Sequence, residues 1–435
     1  MLARRQTVVL VTPGPPFPRV EGMHMTLSLA WLLDPITPQV FFADYYERQP
    51  LLIARGESRR FQSLLSLGAV DRFLATTSPC HPDVFLVDAA RKLSAEDYTL
   101  ADAENPGSLD LPRVYELFRA GATISIRHLH ESLPELAALC RAVEQVFSGH
   151  FQTNIYLSPP NAQGFGTHFD SHDVFVLQVA GSKLWTLYDT VVELPLHGQA
   201  FDKDKHHPGP PSREIVIRAG DLFYCPRGLF HSARSSTESS LHITLGLIGK
   251  TWADVMVEAV SAACLSSSAF RGNLPVGFAN ANFDATEARA TFRRLLDTFA
   301  RQAELDPILQ GLAEEFVTSR RPDLGGSLQE IDAPAKITGN SWVQARPHLI
   351  YGLRRDAKEV TLLFGSSRIT MPVVAAEPIA FALAGQPFVV ADLPGRLDID
   401  GKVVLVRRLL KEGLLIKSAA PATSARSAAA GRRRR

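Results

Sequence analysis

Cysteine is scarce in this chain. Four occur in 435 residues, and Cys80, Cys140, Cys225 and Cys264 stand far apart. No CxxC pair exists, which removes the usual pattern of a thiolate zinc site. Four scattered thiols fit a reducing cytoplasm, where they pack as small apolar groups. Long apolar runs are missing too. Nothing approaches the roughly 18 consecutive apolar residues of a membrane span. Val8-Val9-Leu10-Val11, following Arg4 and Arg5, is too short for the apolar core of a signal peptide. Charge of one sign is also absent: 46 Lys and Arg face 45 Asp and Glu, for a net charge of +1. That balance argues against a strongly polyanionic partner for the body of the protein. What remains is ordinary for a globular protein with a substantial core, 46% hydrophobic and 21% charged. The length suggests two to four domains.

The texture changes several times along the chain. Residues 1–24 contain the breaker cluster Thr12–Pro18 (TPGPPFP) and are expected to be disordered, with Met23 or Met25 as alternative starts. From Leu27, LSLAWLL reads as a short helix broken by Pro35 and Pro38, and VFFADYYERQPLLIARG as a helix leading into a strand at Leu51–Ala54. Pro134–Phe147 carries apolar residues at helical spacing. Beyond Gly149 the runs FQTNIYLSP, DVFVLQVAG, KLWTLYD, REIVIRAGD, LFYCP and SLHITLGLIG are short and β-rich, as in an all-β sandwich or barrel. After Thr251, WADVMVEAVSAACL and ATEARATFRRLLDTFARQAELDPILQGLAEEF are long amphipathic helices. Their apolar stripes must pack within their own domain or against a second copy. Between about 340 and 418, EVTLLFG and ITMPVVA read as a hairpin. Glu377–Ala384, Phe388–Leu393 and Ile399–Gly413 read as three helices, the outline of a winged helix. The third offers Lys402, Arg407, Arg408 and Lys411 against Asp400 and Glu412, a weak footprint for DNA, so protein contact is the expectation there. Residues 419–435 are low complexity and expected to be disordered. The Arg432–Arg435 run is either a plain solvated tail or a lure for acidic partners.

The chemistry concentrates at His168-Phe169-Asp170 and at His231 in CPRGLFH. Residues two apart on an extended segment share a face, so His168 and Asp170 present an imidazole and a carboxylate side by side. His231 arrives from far along the chain, as a β-barrel permits. Two imidazoles and one carboxylate with open positions suit a non-heme Fe(II) centre, and the lack of thiolates disfavours a structural zinc. An HxD alone is common by chance. Here it follows Gly164-Phe165-Gly166, and Lys183 comes fifteen residues after His168. An ammonium inside a barrel needs an anionic partner, and the distal carboxylate of 2-oxoglutarate would be one.

The run NIYLSPPNAQGFGTHFDSHDVFVLQVAGSKLWTLYD, followed by GDLFYCPRGLFHSA and SLHITLGL, resembles the ribosomal oxygenases, the cupin-4 branch of the Jumonji-C 2-oxoglutarate oxygenases. The likeness is clearest over 150–250 and leaves out 1–24 and 419–435. It implies a mainly β catalytic domain over 25–250, a JmjC/cupin double-stranded β-helix. It further implies a helical dimerisation region over 251–335, hence a homodimer, and a winged-helix-like domain over 336–418. By position it assigns His168, Asp170 and His231 to the metal and Lys183 to 2-oxoglutarate, with Asn154, Tyr156 and Thr244 facing the co-substrate or substrate. His242 is expected to be a packed barrel histidine. His172 shares the inward parity, as a second-sphere or substrate-channel residue, and His206 and His207 lie in a polar loop and are expected to be solvated. The activity implied is Fe(II)/2-oxoglutarate-dependent hydroxylation of a histidine or arginine in a ribosomal protein. The same chemistry on a free or carrier-bound amino acid or a non-ribosomal protein is the runner-up. A cupin-like scaffold without turnover is a third reading, which the complete triad with Lys183 argues against.

Overall fold

The computed structural model describes residues 10–11, 27–101, 104–320 and 323–419. The chain divides into two compact units, Met1–Gly249 and Lys250–Arg435. The expected disorder of 1–24 lies mostly outside the described residues. The exception is β1 (Leu10–Val11), which pairs in parallel with β2 (Leu51–Ile53). The tail from residue 420 lies outside them as well. No helix among the described residues is long and apolar enough to cross a membrane.

The first unit is a two-sheet β-sandwich with helices on one side. Its remaining strands are β3 (Val84–Val87), β4 (Thr123–Arg127), β5 (His150–Ser158), β6 (Asp173–Ala180), β7 (Ser182–Tyr188), β8 (Pro211–Arg218), β9 (Leu222–Cys225), β10 (His231–Ser235) and β11 (Ser240–Ile248). The large sheet has the order β1-β2-β9-β6-β11-β5-β4-β3, and the small sheet the order β10-β7-β8. Apart from β1, every pairing is antiparallel.

The period of two assigns each strand residue its side. Phe151, Ile155, Phe175, Leu177, Ile243 and Leu245 turn to the helical side and are buried there with Leu32, Phe41, Leu136 and Val143. The helices that supply this cover include α1 (Leu29–Leu33), α2 (Pro38–Asp44) and α5 (Pro134–Phe147). Pro38, expected to act as a breaker, opens α2 instead, at a position where no helical N–H is lost. Val174, Val176, Phe223 and Cys225 turn the other way, against Trp185, Leu187, Ile215 and Ile217 of the small sheet. Each such fully buried apolar side chain contributes about 1.5–3 kcal/mol. The inner faces of the two sheets thus form a second core, with a pocket at one end of it.

In the second unit, α6 (Trp252–Ser266) starts with a Thr251–Asp254 capping box. The long helical run after it is two helices, α7 (Thr286–Gln302) and α8 (Leu305–Ser319). Pro307 sits in the first turn of α8, where proline is tolerated, whereas in a continuous helix its ring would clash with the preceding turn. Neither α7 nor α8 has a buried residue. The C-terminal part holds β12 (Trp342–Ala345), β13 (Gly352–Arg355), β14 (Glu359–Phe364), β15 (Ser367–Pro372), β16 (Phe388–Val389) and β17 (Leu415–Lys417). They form two three-stranded sheets: β13-β14-β15, which contains the expected hairpin, and β16-β12-β17. Two helices, α9 (Ala376–Ala382) and α10 (Ile399–Lys411), pack beside them. The segment Phe388–Leu393, expected to be helical, is a strand, Phe388–Val389, followed by a 3₁₀ turn, Val390–Asp392. Strand pairing with Trp342 and Val343 outweighs the weak helical pattern of so short an apolar run.

Candidate metal centre

His168 does not lie on a regular strand, as its spacing had suggested. The segment between β5 and β6 is irregular, and His168 makes one isolated antiparallel bridge with His231 at the start of β10. The His168 N–H donates to the His231 carbonyl at 3.0 Å, and the His231 N–H returns the bond at 2.8 Å. This single bridge brings two residues 63 positions apart into register, with ring centroids 4.6 Å apart. The turn before His231 is held from two sides. The Gly228 N–H donates to the Asp170 carbonyl at 2.9 Å. Gly228 has φ +83°, and a Cβ there would stand 2.1 Å from the Val192 carbonyl oxygen, so only glycine fits. Next to it, Arg227 pairs with Asp173 at 3.2 Å and Glu47 at 2.5 Å, while the Tyr224 hydroxyl donates to Asp173 at 2.5 Å.

One ligand atom from each of His168, Asp170 and His231 lies within 4.8 Å of the others. The Nδ1 atoms of both rings are used elsewhere: that of His168 lies 2.8 Å from the Gly166 carbonyl and that of His231 3.0 Å from the Leu229 carbonyl. Each carbonyl needs a donor, so each Nδ1 carries the proton and each Nε2 offers its lone pair to the site. Burial, reinforced by His168, drives the His231 pKa down to about 4, so the ring is neutral near pH 7. Burial pushes the Asp170 carboxyl up, but the nearby histidines together outweigh it and hold the group ionised, below its ordinary value. Two neutral imidazoles and one carboxylate are the donor set that a divalent iron takes on one face. Cys225 lies close, its Sγ 3.7 Å from the His231 Nδ1, but burial raises its thiol well above the usual range and leaves it a poor ligand.

The pocket holds more than the triad. Asn154 and Tyr156 on β5 and Thr244 on β11 line it, as does Lys183. Asn154 pairs across to Thr244, and Tyr156 to His242. Lys183 lies near the start of β7, just past the Gly181 turn rather than at the end of the preceding strand. It is 4% exposed, and its ammonium donates to Ser158 Oγ at 2.9 Å with no carboxylate partner among the described residues. Burial lowers its pKa to about 7. Trp185 lines the pocket as well, and its indole N–H has no partner among the described residues. His242 is buried and packed, stacked on the Tyr156 ring at 5.0 Å, yet its Nδ1 has no partner among the described residues and it lines the pocket. Parity offered a signal for both: Trp185 is two after Lys183, and His242 two before Thr244. His206 corrects an expectation. It is not simply solvated, since its Nδ1 accepts the Asp202 N–H at 3.0 Å and its ring meets Phe169 edge-on at 5.1 Å.

The model of the JmjC domain matches residues 128–255, which carry the whole triad. The chain is 30% identical to ribosomal oxygenase 1 of Bos taurus over 312 residues, 67% of this chain and 46% of that one. The chain carries a JmjC domain of the ribosomal-oxygenase kind. It is also 27% identical over 340 residues to the bifunctional lysine-specific demethylase and histidyl-hydroxylase NO66 of Aedes aegypti, covering 71% of this chain and 52% of that one. It spans about half the length of these curated relatives. The fold is like that of Escherichia coli YcfD, with a TM-score of 0.53 and 14% identity over 88% of this chain and 98% of that one. Another structure of YcfD, a ribosomal oxygenase in complex with cobalt and 2-oxoglutarate, matches with a TM-score of 0.51 and 12% identity over 88% and 99%.

Proposed function

We propose that this JmjC-domain chain is an Fe(II)- and 2-oxoglutarate-dependent oxygenase that hydroxylates a side chain, histidine or arginine, of a ribosomal protein. The observation that carries the reading is one pocket holding both the His168–Asp170–His231 group and, on its wall, a buried lysine without an acid partner. His168, Asp170 and His231 would hold the metal, and Lys183 the distal carboxylate of 2-oxoglutarate, with Asn154, Tyr156 and Thr244 around the co-substrate. With both bound, the centre supplies oxidative decarboxylation of 2-oxoglutarate coupled to insertion of one oxygen atom of O2 into a C–H bond. The protein's part is positional. Carbonyls fix the two imidazoles, the bridge and the Gly228 turn fix their separation, and the apolar side chains Val174, Phe165 and Trp185 limit water.

The ribosomal substrate is supported by kinship with ribosomal oxygenase 1 and NO66, the second of which bears histidyl-hydroxylase in its name. A homodimer is supported by α6, α7 and α8, where Trp252, Val257, Leu265, Phe292 and Leu296 are all at least half exposed. The C-terminal sheets and helices are read as a winged-helix-like module for protein contact, and the four free cysteines as a sign of a cytoplasmic setting. Intact-mass spectrometry of ribosomal proteins from cells with and without the enzyme tests the assignment. A +16 shift on one protein, dependent on the enzyme, is expected; identical spectra would sink the ribosomal substrate. Anaerobic titration with Fe(II) and 2-oxoglutarate tests the cofactors separately, through the charge-transfer band of the chelate.

A further inference from the structure

Gly246 lies in the interior of β11, where glycine weakens a strand and signals a close approach. The approaching group is an imidazole. A Cβ at this position would stand 2.7 Å from both Cδ2 and Nε2 of His172, and 3.6 Å from Cγ of Gln152. The missing side chain leaves a seat against the sheet, and the His172 ring occupies it. This ring lines the same pocket as His168, Asp170 and His231, and is near enough to Asp170 and His231 to act on both electrostatically. It does not belong to the ligand group, which comprises the other three side chains alone. It is half-buried, and its ring nitrogens make no hydrogen bond among the described residues. Beside it, Gln152 Oε1 lies 3.1 Å from Nε2 of the exposed His128. His172, Gln152 and His128 therefore make a polar row from beside the metal ligands out to solvent, separate from the 2-oxoglutarate anchor at Lys183.

We infer that His172 is a contact for the primary substrate, hydrogen-bonding a polar group of the residue presented to the metal, and that Gly246 seats its ring. This rests on the oxygenase reading above. A substrate group that meets an unpaired imidazole gains a directional bond without first breaking one inside the protein. The bond would act on orientation and selectivity, and not on binding of metal or 2-oxoglutarate.

The test uses the full chain loaded anaerobically with Fe(II), as wild type, His172→Ala, His172→Gln, Gly246→Ala and the His172→Ala/Gly246→Ala double variant. Binding of 2-oxoglutarate, followed by the charge-transfer band, is expected to stay within twofold in all of them. Succinate release is then measured with no added protein, with a ribosomal-protein fraction, and with the remaining protein fraction of the same cells. His172→Ala is expected to lower the ratio of protein-stimulated to unstimulated release at least tenfold, and His172→Gln to recover part of the loss. Gly246→Ala is expected to lower the unfolding temperature in the His172 background and to leave it unchanged once residue 172 is alanine. Full stimulation of His172→Ala, a 2-oxoglutarate affinity that falls with it, or equal destabilisation by Gly246→Ala in both backgrounds overturns the inference. Wild type stimulated by neither fraction overturns the proposed function and this contact together. Stimulation of wild type by the other fraction alone overturns only the ribosomal substrate.

Discussion

Replacing Lys183 with methionine should make the ligand-free protein more stable while removing its response to 2-oxoglutarate. The ammonium is 4% exposed and has one hydroxyl partner, Ser158 at 2.9 Å. Burial takes its pKa from 10.5 to about 7. At about 1.36 kcal/mol per pH unit, keeping the charged form inside the fold costs on the order of 5 kcal/mol. Methionine removes that cost and forfeits a hydrogen bond of about 1 kcal/mol. The net gain expected in urea unfolding at pH 6.5 is therefore about 3–4 kcal/mol. The sign of the pH dependence follows from proton counting. Between pH 7 and 10.5 the unfolded chain holds a proton on this lysine that the folded chain has lost, so wild-type stability rises with pH in that window. The advantage of Lys183→Met should thus shrink to under about 1 kcal/mol by pH 9.5. The ligand response is the second half of the assay. At a 2-oxoglutarate concentration of about 100 times Kd, the metal-loaded wild type should gain about 2.7 kcal/mol. Removing one partner of a buried ion pair costs about 3–5 kcal/mol, enough to cut the variant's gain at the same concentration to under about 1 kcal/mol. A variant less stable than wild type at pH 6.5 that still responds fully to 2-oxoglutarate would refute both the unpaired charge and its role as anchor.

Three further outcomes are expected. Asp170→Ala and His168→Ala should each abolish the anaerobic charge-transfer band and succinate release while leaving far-UV circular dichroism unchanged, since both residues are only half-buried and lie outside the regular strands; a retained band would remove the residue from the metal. Gly228→Ala should cost about 1–3 kcal/mol in unfolding free energy and weaken Fe(II) binding, because a Cβ at φ +83° meets the Val192 carbonyl at 2.1 Å and the turn that delivers His231 must shift. Unaltered stability and metal affinity would refute that constraint. Phe292→Ser with Leu296→Ser, two exposed apolar positions on one face of α7, should convert a dimer to a monomer in light scattering at unchanged helicity. An unaltered mass would place the interface elsewhere.

Much of the architecture was legible because local physics dominates it. Alternation along FQTNIYLSP and SLHITLGLIG separates Phe151, Ile155 and Ile243 from Asn154, Tyr156, His242 and Thr244, and the two sheets use that separation directly. The helix starts carry their own signals, Ser28, Thr37 and Ser66 each accepting a first-turn N–H. Pattern reading failed where neighbours outvote local preference. Phe388–Leu393 looked helical until it met β12, and the run after Ala285 looked like one helix until Pro307 divided it.

The chain's own residues determined the chemistry on offer: two imidazoles, one carboxylate and one ammonium at spacings that suit a metal and a dicarboxylate. These are properties of side chains and of local parity, and they survive without coordinates. Only the tertiary structure decided that His168 and His231 share a bridge, that carbonyls turn both Nε2 atoms to one point, and that the Lys183 ammonium is left without an acid. Only it showed that Gly246 seats His172. Each of these depends on which strands lie side by side. That order is set by burial of two separate apolar faces across the whole domain, a global balance that no short stretch of sequence contains.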